Sequence, residues 1–343
     1  MKIIDKNISE IINNKEIKSN FLSVDSDKLN MKCNILNNNF FMDSHNYFPI
    51  TEDHYTFKNI FMWGDVSKYN NFYTNLFIEN FKKEEKNFIH LSDTFILGSS
   101  SVNNYYRNMI TFIPRIFFLH KKKIKLGIHR SLSKKFRDFI LYLSSEMKKE
   151  VQFVFLDDGF YKFTNSQLPE FFPKKDSVNI LNKLKISQKK PEDKIYLTRQ
   201  NASYRNLLNE SDVVNILKSN GFKIIDLNEI EIIDQIKLFS NAKMIISSAG
   251  SSLANIVFCS PGTKVIEISP KYSFDYENIF KVRYEQICNQ LNLEYLSIEA
   301  DSININIKKN ISQKFISPLI LNQSNYYKDM ILKIDNIKKI LVN

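Results

Sequence analysis

From Asp93 onward, short β-branched or aromatic runs alternate with segments whose apolar residues recur every three or four positions. The first pattern suits buried strands, the second helices with one apolar face. In the first half the pattern predicts a strand at 94–97, a turn at 98–101 and a largely helical segment at 102–119, interrupted at Pro114. A strand at 123–128 follows, then a helix at 133–148 with Phe136, Phe139, Ile140, Leu143 and Met147 on one face, and a strand at 151–156. The second half predicts strands at 194–198, 222–226, 243–247, 264–268 and 293–297, separated by helices at 210–219, 231–241, 252–258 and 276–291. Strands separated by single helices predict a doubly wound parallel sheet.

The charged stretch 174–193, ending at Pro191, reads as a connection between domains. The expected organisation is therefore an N-terminal Rossmann-like domain over 1–173, a linker over 174–193, a C-terminal Rossmann-like domain over 194–310 and a tail over 311–343. Met330, Ile331, Ile334, Ile337, Ile340 and Leu341 make that tail amphipathic, and it is expected to be helical and to pack back on a core. Residues 1–90 are rich in Asn, Lys and aromatics with weak periodicity; a strand at 57–63 and a helix at 72–81 are the readings there.

Composition narrows the function classes. A chain of 343 residues suits two domains of about 100 to 200 residues each. Lys+Arg 48 against Asp+Glu 37 gives +11, which favours anionic partners, although Lys, Asn and Ile are also abundant where no motif lies. Cys33, Cys259 and Cys288 are odd in number and widely spaced, as in structural thiols of a reducing cytoplasm. No apolar run follows Met1 as in a signal peptide, and the most apolar stretch, 109–119, is broken by Pro114 and Arg115 and too short to span a membrane. The expected location is the cytoplasm, with at most peripheral contact with an anionic inner membrane face. The seven glycines fall near expected turns, none forming a dinucleotide or P-loop signature, and no His pair has zincin spacing. Asp25-Ser26-Asp27 imitates an Asp-x-Asp metal motif but lacks a preceding strand–helix–strand unit.

Candidate chemistry centres on the stretch from Ile245 to Asn255, where a β-branched run stops in small residues around Gly250 and an apolar helical run begins. A helix N-terminus presents backbone N–H groups and a positive dipole end, which suits a phosphate. Arg199, at the end of the 194–198 strand, and Arg205 shortly after it can neutralise the same anion by charge-assisted hydrogen bonds. Glu210 opens the next helix, as a cap or a ligand contact; Glu267 ends the run Val265-Ile266, for a sugar hydroxyl or an ion pair; Asn255 caps or touches the ligand. Asp157 and Asp158 close the 151–156 strand before Gly159 and are candidate proton acceptors, with Asp93, His45 and Arg107 as neighbours.

The order Arg199, Arg205, Asn209-Glu210, Gly221-Phe222, Gln235, Phe239, Ala242, the Gly250 turn, Leu253, Asn255, Phe258, Pro261-Gly262 and Val265-Ile266-Glu267 resembles the catalytic domain of family 61 glycosyltransferases, including bacterial members associated with capsular and other surface polysaccharides. Asn104-Tyr105-Tyr106-Arg107 with Pro114-Arg115 resembles the family's N-terminal pattern. Two histidines of that family are absent: Ala249 stands before Gly250, and Arg107 fills the other slot.

The resemblance implies a GT-B-like α/β fold, two Rossmann-like domains facing a cleft, and inverting transfer from a UDP-sugar, with UDP-N-acetylglucosamine and UDP-xylose as first donors. It implies donor contacts at Arg199, Arg205, Glu210, Ser248, Gly250, Ser251, Ser252, Leu253, Asn255 and Glu267, and a glycan or lipid-linked glycan acceptor near Tyr106 and Arg107. With two arginines facing the diphosphate, no cofactor and no metal are expected. Two alternatives use the same features: pyruvyl transfer from phosphoenolpyruvate to a polysaccharide, and non-catalytic binding of nucleic acid or a membrane surface, the former lacking recognition motifs here.

Overall fold

The computed structural model describes residues 2–4, 21–26, 29, 31–44, 47–52, 55–57, 79, 87–99, 103–186, 191–200, 202, 205–272, 278–303 and 328–342. The chain divides into two compact units, Met1–Ile180 and Leu181–Asn343. Most of the expected helix at 72–81, most of the strand at 57–63 and His45 lie outside the described residues.

In the first unit the strands are β1 (Lys2–Ile4), β2 (Phe21–Ser26), β3 (Met31–Asp43), β4 (Phe48–Thr51), β5 (Tyr55–Phe57), β6 (Ile89–Ser92), β7 (Thr94–Ile96), β8 (Lys123–His129), β9 (Glu150–Leu156) and β10 (Phe160–Pro169). The main sheet runs β2-β3-β10-β7-β8-β9, with β4 on β3 and β6 on β10, while β1 and β5 form a separate parallel pair. Strands β7, β8 and β9 are parallel, and β10 is parallel to β6 and β7. Against β3, however, β10 is antiparallel, and β2, β3 and β4 form an antiparallel meander. The sheet is thus mixed, and only its β7–β9 side has the expected parallel character. Short connections between β2, β3 and β4 permit only antiparallel neighbours.

Helix α1 (Lys134–Glu146) buries Phe136, Phe139, Ile140 and Leu143, the face its periodicity predicts. Segment 105–118 changes type along its length: α-helical at Tyr105–Arg107, π-helical at Asn108–Phe112 and 3₁₀ at Ile113–Phe118. Pro114 cannot donate to the helical ladder, and the chain changes hydrogen-bond spacing beside it. Gly127 departs from the expected turn position: it lies inside β8, where a Cβ would sit 3.0 Å from Ile96 Cδ1.

Arg115 is fully buried at the carboxyl end of β7. Its guanidinium donates to the carbonyls of Leu97 (2.6 Å), Ile96 (3.3 Å) and Pro169 (2.7 Å) and lies 4.2 Å from the centre of the Phe171 ring. Burial pulls its pKa down to about 9, while Cys33, Tyr47 and Glu170 act in the opposite sense. Helix α2 (Lys174–Asn182) occupies the start of the expected linker and buries Val178, Ile180 and Leu181.

In the second unit the strands are β11 (Asp193–Leu197), β12 (Lys223–Ile225), β13 (Ala242–Ser248), β14 (Lys264–Pro270), β15 (Glu294–Ile303) and β16 (Asp329–Ile331). Their order is β12-β11-β13-β14-β15-β16, parallel except for β16 at the edge. The helices are α3 (Glu210–Ser219), α4 (Ile232–Ser240), α5 (Arg283–Leu291) and α6 (Ile334–Val342), with a 3₁₀ helix at Ser251–Phe258. The helix expected over 276–291 is instead a short Asn278–Lys281 turn and α5, parted at Val282. The described tail is a strand followed by a helix, so its helical expectation fails over 329–331, where β16 takes the free edge of β15. Met330 and Ile337 are buried in one cluster with Tyr196, Leu217 and Ile266. No helix among the described residues is long and apolar enough to cross a membrane.

Replacing Arg115 with Met keeps an apolar stem and removes the donors to three buried carbonyls. The expected cost is about 3 to 5 kcal/mol, read as a lower urea midpoint for the first unit at unchanged slope; an unchanged midpoint would refute the anchoring role.

Candidate functional site

The strand order of the second unit places its topological switch between β11 and β13, where chain connections leave in opposite directions and open a crevice outside the carboxyl ends. Arg199 follows β11 and Gly250 follows β13, so the two meet there. The chain passes from β13 through a bend at 249–250 into the 3₁₀ helix, as expected, but Gly250 has φ −173° and ψ 164°, an extended backbone that any residue adopts, so the bend does not require glycine for its backbone. What the position requires is the missing side chain. A Cβ at Gly250 would overlap the Arg199 guanidinium, with Cζ only 2.9 Å away.

The surrounding groups hold that arrangement. Glu210, buried in the first turn of α3, accepts from the Tyr196 hydroxyl (2.7 Å) and the Arg199 backbone N–H (3.2 Å). It thereby fixes the backbone from which the Arg199 side chain departs. Tyr284, in the first turn of α5, donates to the Gly250 carbonyl (2.6 Å) and pins the other side of the crevice. The 3₁₀ helix begins at Ser251, and its first N–H groups have no intrahelical acceptor. Ser252 Oγ is buried without a hydrogen-bond partner among the described residues, a cost that a ligand atom would relieve. Ser248 ends β13 beside the Tyr196 hydroxyl. Leu253 and Asn255 are fully buried, and Asn255 Nδ2 donates to Gln235 Oε1 (2.9 Å), so these two side chains tie the 3₁₀ helix into the core.

Glu267 lies within β14, opposite Ser247 and Ser297, rather than at the expected strand end. Only 2% exposed, it accepts from the Tyr295 hydroxyl (2.6 Å). Burial pushes its pKa up to about 7, against the pull of Tyr295, Arg205 and Arg283. Arg205 is itself buried and adopts φ 58°, a left-handed conformation uncommon for arginine and of the kind that persists where surrounding contacts enforce it. One such contact is next in sequence: the Asn206 backbone donates to Asp329 Oδ1 (2.7 Å).

In the first unit, the carboxyl ends of β7, β8 and β9 lead to Tyr106 and Arg107, to His129 and Arg130, and to Asp157 and Asp158. Tyr106 and Arg107 are half-buried in the first helical turn, which Asn104 caps through the Arg107 N–H (3.1 Å). Asp157 is held by Arg130 through both oxygens (2.6 and 3.1 Å), and that hydrogen bonding lowers its pKa, which suits it poorly to accept a proton. Asp158 instead meets His129: Oδ1 lies 2.9 Å from Nε2 of the buried imidazole. Because the Ser131 backbone N–H donates to Nδ1 (3.1 Å), the ring proton resides on Nε2 and is directed at Asp158. Asp93 sits at the opposite, amino end of β7, away from this pair.

Sequence reasoning missed Tyr196, Tyr284, Arg283, Tyr295 and His129. His129 and Tyr295 are carried on strands and Tyr196 ends in a core position, so their polar atoms are invisible to patterning. Among the described residues, no three His, Cys, Asp or Glu side chains converge as a metal-binding group would. Residues 105–266 match the family model described as Glycosyltransferase 61, a span that includes Arg199, Arg205, Glu210 and Gly250 and the His129–Asp158 pair but not Asp93, Glu267, α5, Tyr295 or Asp329. No curated protein matches the chain.

A carboxyl group with a raised folded-state pKa contributes stability below its unfolded pKa and loses it as pH rises through the folded value. For Glu267 that window runs from 4.5 to about 7. Comparing urea unfolding of wild type and Glu267→Gln at pH 5 and pH 8 is expected to show the variant gaining relative stability at the higher pH, by at most about 3 kcal/mol. A pH-independent difference would refute the shift.

Proposed function

Because the chain carries a family 61 glycosyltransferase domain over residues 105–266 and is a glycosyltransferase, we propose that it moves a sugar, with inversion, from a UDP-sugar to a glycan or lipid-linked glycan in surface polysaccharide biosynthesis. The observation that carries the donor assignment is the Arg199 guanidinium occupying the space over Gly250 at the β11–β13 switch. Parallel strands in each unit support a GT-B-type architecture, with the donor assigned to the second unit and the acceptor to the first.

The chemistry follows from where charge grows. As the acceptor oxygen bonds to the anomeric carbon, the bond from that carbon to the diphosphate breaks on the opposite face, and negative charge moves onto the leaving phosphate. Arg199 and Arg205, with the first N–H groups of the 3₁₀ helix, stabilise that charge. Arg283, which acts electrostatically on Glu267 alongside Arg205, extends the cationic rim. Fixed cations do the work that a divalent ion does elsewhere, so transfer is metal-independent in this reading. The acceptor hydroxyl loses its proton to Asp158, which His129 orients. Ala249 leaves the donor pocket without a family imidazole, and Ser251 and Ser252 supply its polar contacts.

Calorimetric titration of UDP is expected to show binding that survives EDTA and weakens at least about tenfold in Arg199→Ala. Gly250→Ala is expected to do the same with little loss of stability, since the backbone there suits alanine and only the guanidinium is displaced. Absence of UDP binding to wild type would overturn the donor assignment. Asp158→Asn should bind UDP normally and lose about 10²- to 10⁴-fold in transfer; unimpaired transfer would remove Asp158 from the mechanism.

A further inference from the structure

The amino edge of the first unit's parallel strands carries a second polar arrangement, remote from the His129–Asp158 pair. A cavity of about 450 Å³ opens where β7, β8 and β9 begin, beside β10, a size within the range of small-ligand sites. It forms at an irregularity: the pairing of β10 with β3 shifts register between Phe163 and Ser166, so that Asn165 bulges out. Asn165 (φ 46°) and Asp93 (φ 54°) both adopt the left-handed conformation on the cavity rim. Asn and Asp tolerate that conformation better than other side chains, yet it still costs energy that the pairing of an unbulged strand would avoid.

Two hydrogen-bond relays run from β3 into the cavity. In one, the Asn165 N–H donates to Asn39 Oδ1 (3.0 Å) and Asn165 Nδ2 donates to Asp93 Oδ1 (2.5 Å). In the other, Gln167 Nε2 donates to Asn37 Oδ1 (2.9 Å) and approaches His120 Nε2 (3.3 Å), which must accept. Gln167 is only 7% exposed, so its orientation is set by the fold. Partial burial, with Lys121 and Lys149 adding, lowers the His120 pKa and favours the neutral ring that this relay needs. Lys123 and Lys125 project from alternate positions of β8 onto the same side. Lys123 is paired with Glu150 at 3.6 Å, whereas Lys125 has no carboxylate within ion-pair distance among the described residues.

The side-chain oxygens of Asn165 and Gln167, held in place by the bonds their amide nitrogens make, and the Asp93 carboxylate offer acceptors at set spacings, which matches adjacent hydroxyls on a ring. The lysine row adds a counter-charge for an acid. We propose that this cavity is a carbohydrate subsite for an acidic sugar residue of the acceptor glycan, distinct from the centre of transfer. Along β8, Lys123 and His129 stand about 20 Å apart, so a residue held here is not the one that reacts. A chain-like acceptor is held at a distance by its acidic unit while its end is glycosylated. The role as acceptor anchor rests on the transferase reading; the binding itself does not.

The test is calorimetric titration of the full chain with an oligogalacturonate hexasaccharide and a neutral glucan hexasaccharide, with UDP titrated separately. Wild type is expected to bind the acidic sugar at least tenfold more tightly than the neutral one. Lys125→Glu and Asn165→Gly, the latter suited to a positive φ, should each weaken acidic binding at least tenfold and leave UDP binding unchanged. Lys338→Glu, an exposed reversal in the second unit, should change neither. Failure of wild type to bind the acidic sugar, equal binding of the neutral one, indifference to both cavity variants, or an equal loss in Lys338→Glu would each overturn the proposal. UDP binding without sugar binding would sink this subsite alone, and sugar binding without UDP binding would sink the donor reading alone.

Discussion

The second unit is organised around a volume exclusion: the Arg199 guanidinium lies in the space that a side chain at residue 250 would take, so any such side chain displaces it. Arginine carries five donors in a rigid planar fork, useful for phosphate only where the fork is aimed in advance. Glu210 fixes the backbone of Arg199, Tyr196 orients Glu210, and Tyr284 anchors the Gly250 carbonyl. These partners come from β11, α3 and α5, so three elements converge to aim one cation. The unit supports a charged group in a crowded place because its neighbours supply polar atoms in fixed positions. Preorganisation of this kind lets fixed charge act without reorganising during reaction.

The first unit solves a related problem with the opposite outcome. Arg115 is more deeply buried than Arg199, and its guanidinium donates to the carbonyls of Leu97, Ile96 and Pro169. A buried cation whose two terminal nitrogens both donate to backbone is a structural fastening, joining the end of β7 to the end of β10. The difference between the two arginines is what lies beside them: strand-end carbonyls for one, the bare backbone of Gly250 at a helix start for the other. Residue type alone distinguishes neither.

This explains what was legible in the sequence. Alternation gave the second unit's strands and helices closely, because β11, β13 and β14 each carry a short β-branched or aromatic run between polar segments. The antiparallel β2–β4 region was not legible, since β3 reads Met-Lys-Cys-Asn-Ile-Leu-Asn-Asn-Asn-Phe-Phe-Met-Asp and its polar middle hides the strand. The Gly250 and Arg199 pair was visible as chemistry, but its geometry was not: the glycine was read as a turn former, whereas it is a vacancy in extended backbone. His129 and Tyr295 escaped because alternation assigns strand residues to faces and says nothing about which atom a buried face will meet. Arg115 was read as a break in the apolar stretch 109–119 and as part of a family pattern, not as a core residue, since a fully buried arginine contradicts its usual exposure.

The place of β10 bears on how the polypeptide is made. Phe160 of β10 pairs with Asp43 of β3, while the same strand is the parallel neighbour of β6 and β7. During synthesis β3 emerges long before its partner, and β7, β8 and β9 emerge without the strand that joins them to the meander. The ribosome therefore releases a half-sheet with an unsatisfied edge until residue 169 is clear, and pairings so distant in sequence form slowly. Chaperone demand should be concentrated in that interval, since the Asn-rich middle of β3 brings no charge or proline to guard the waiting edge.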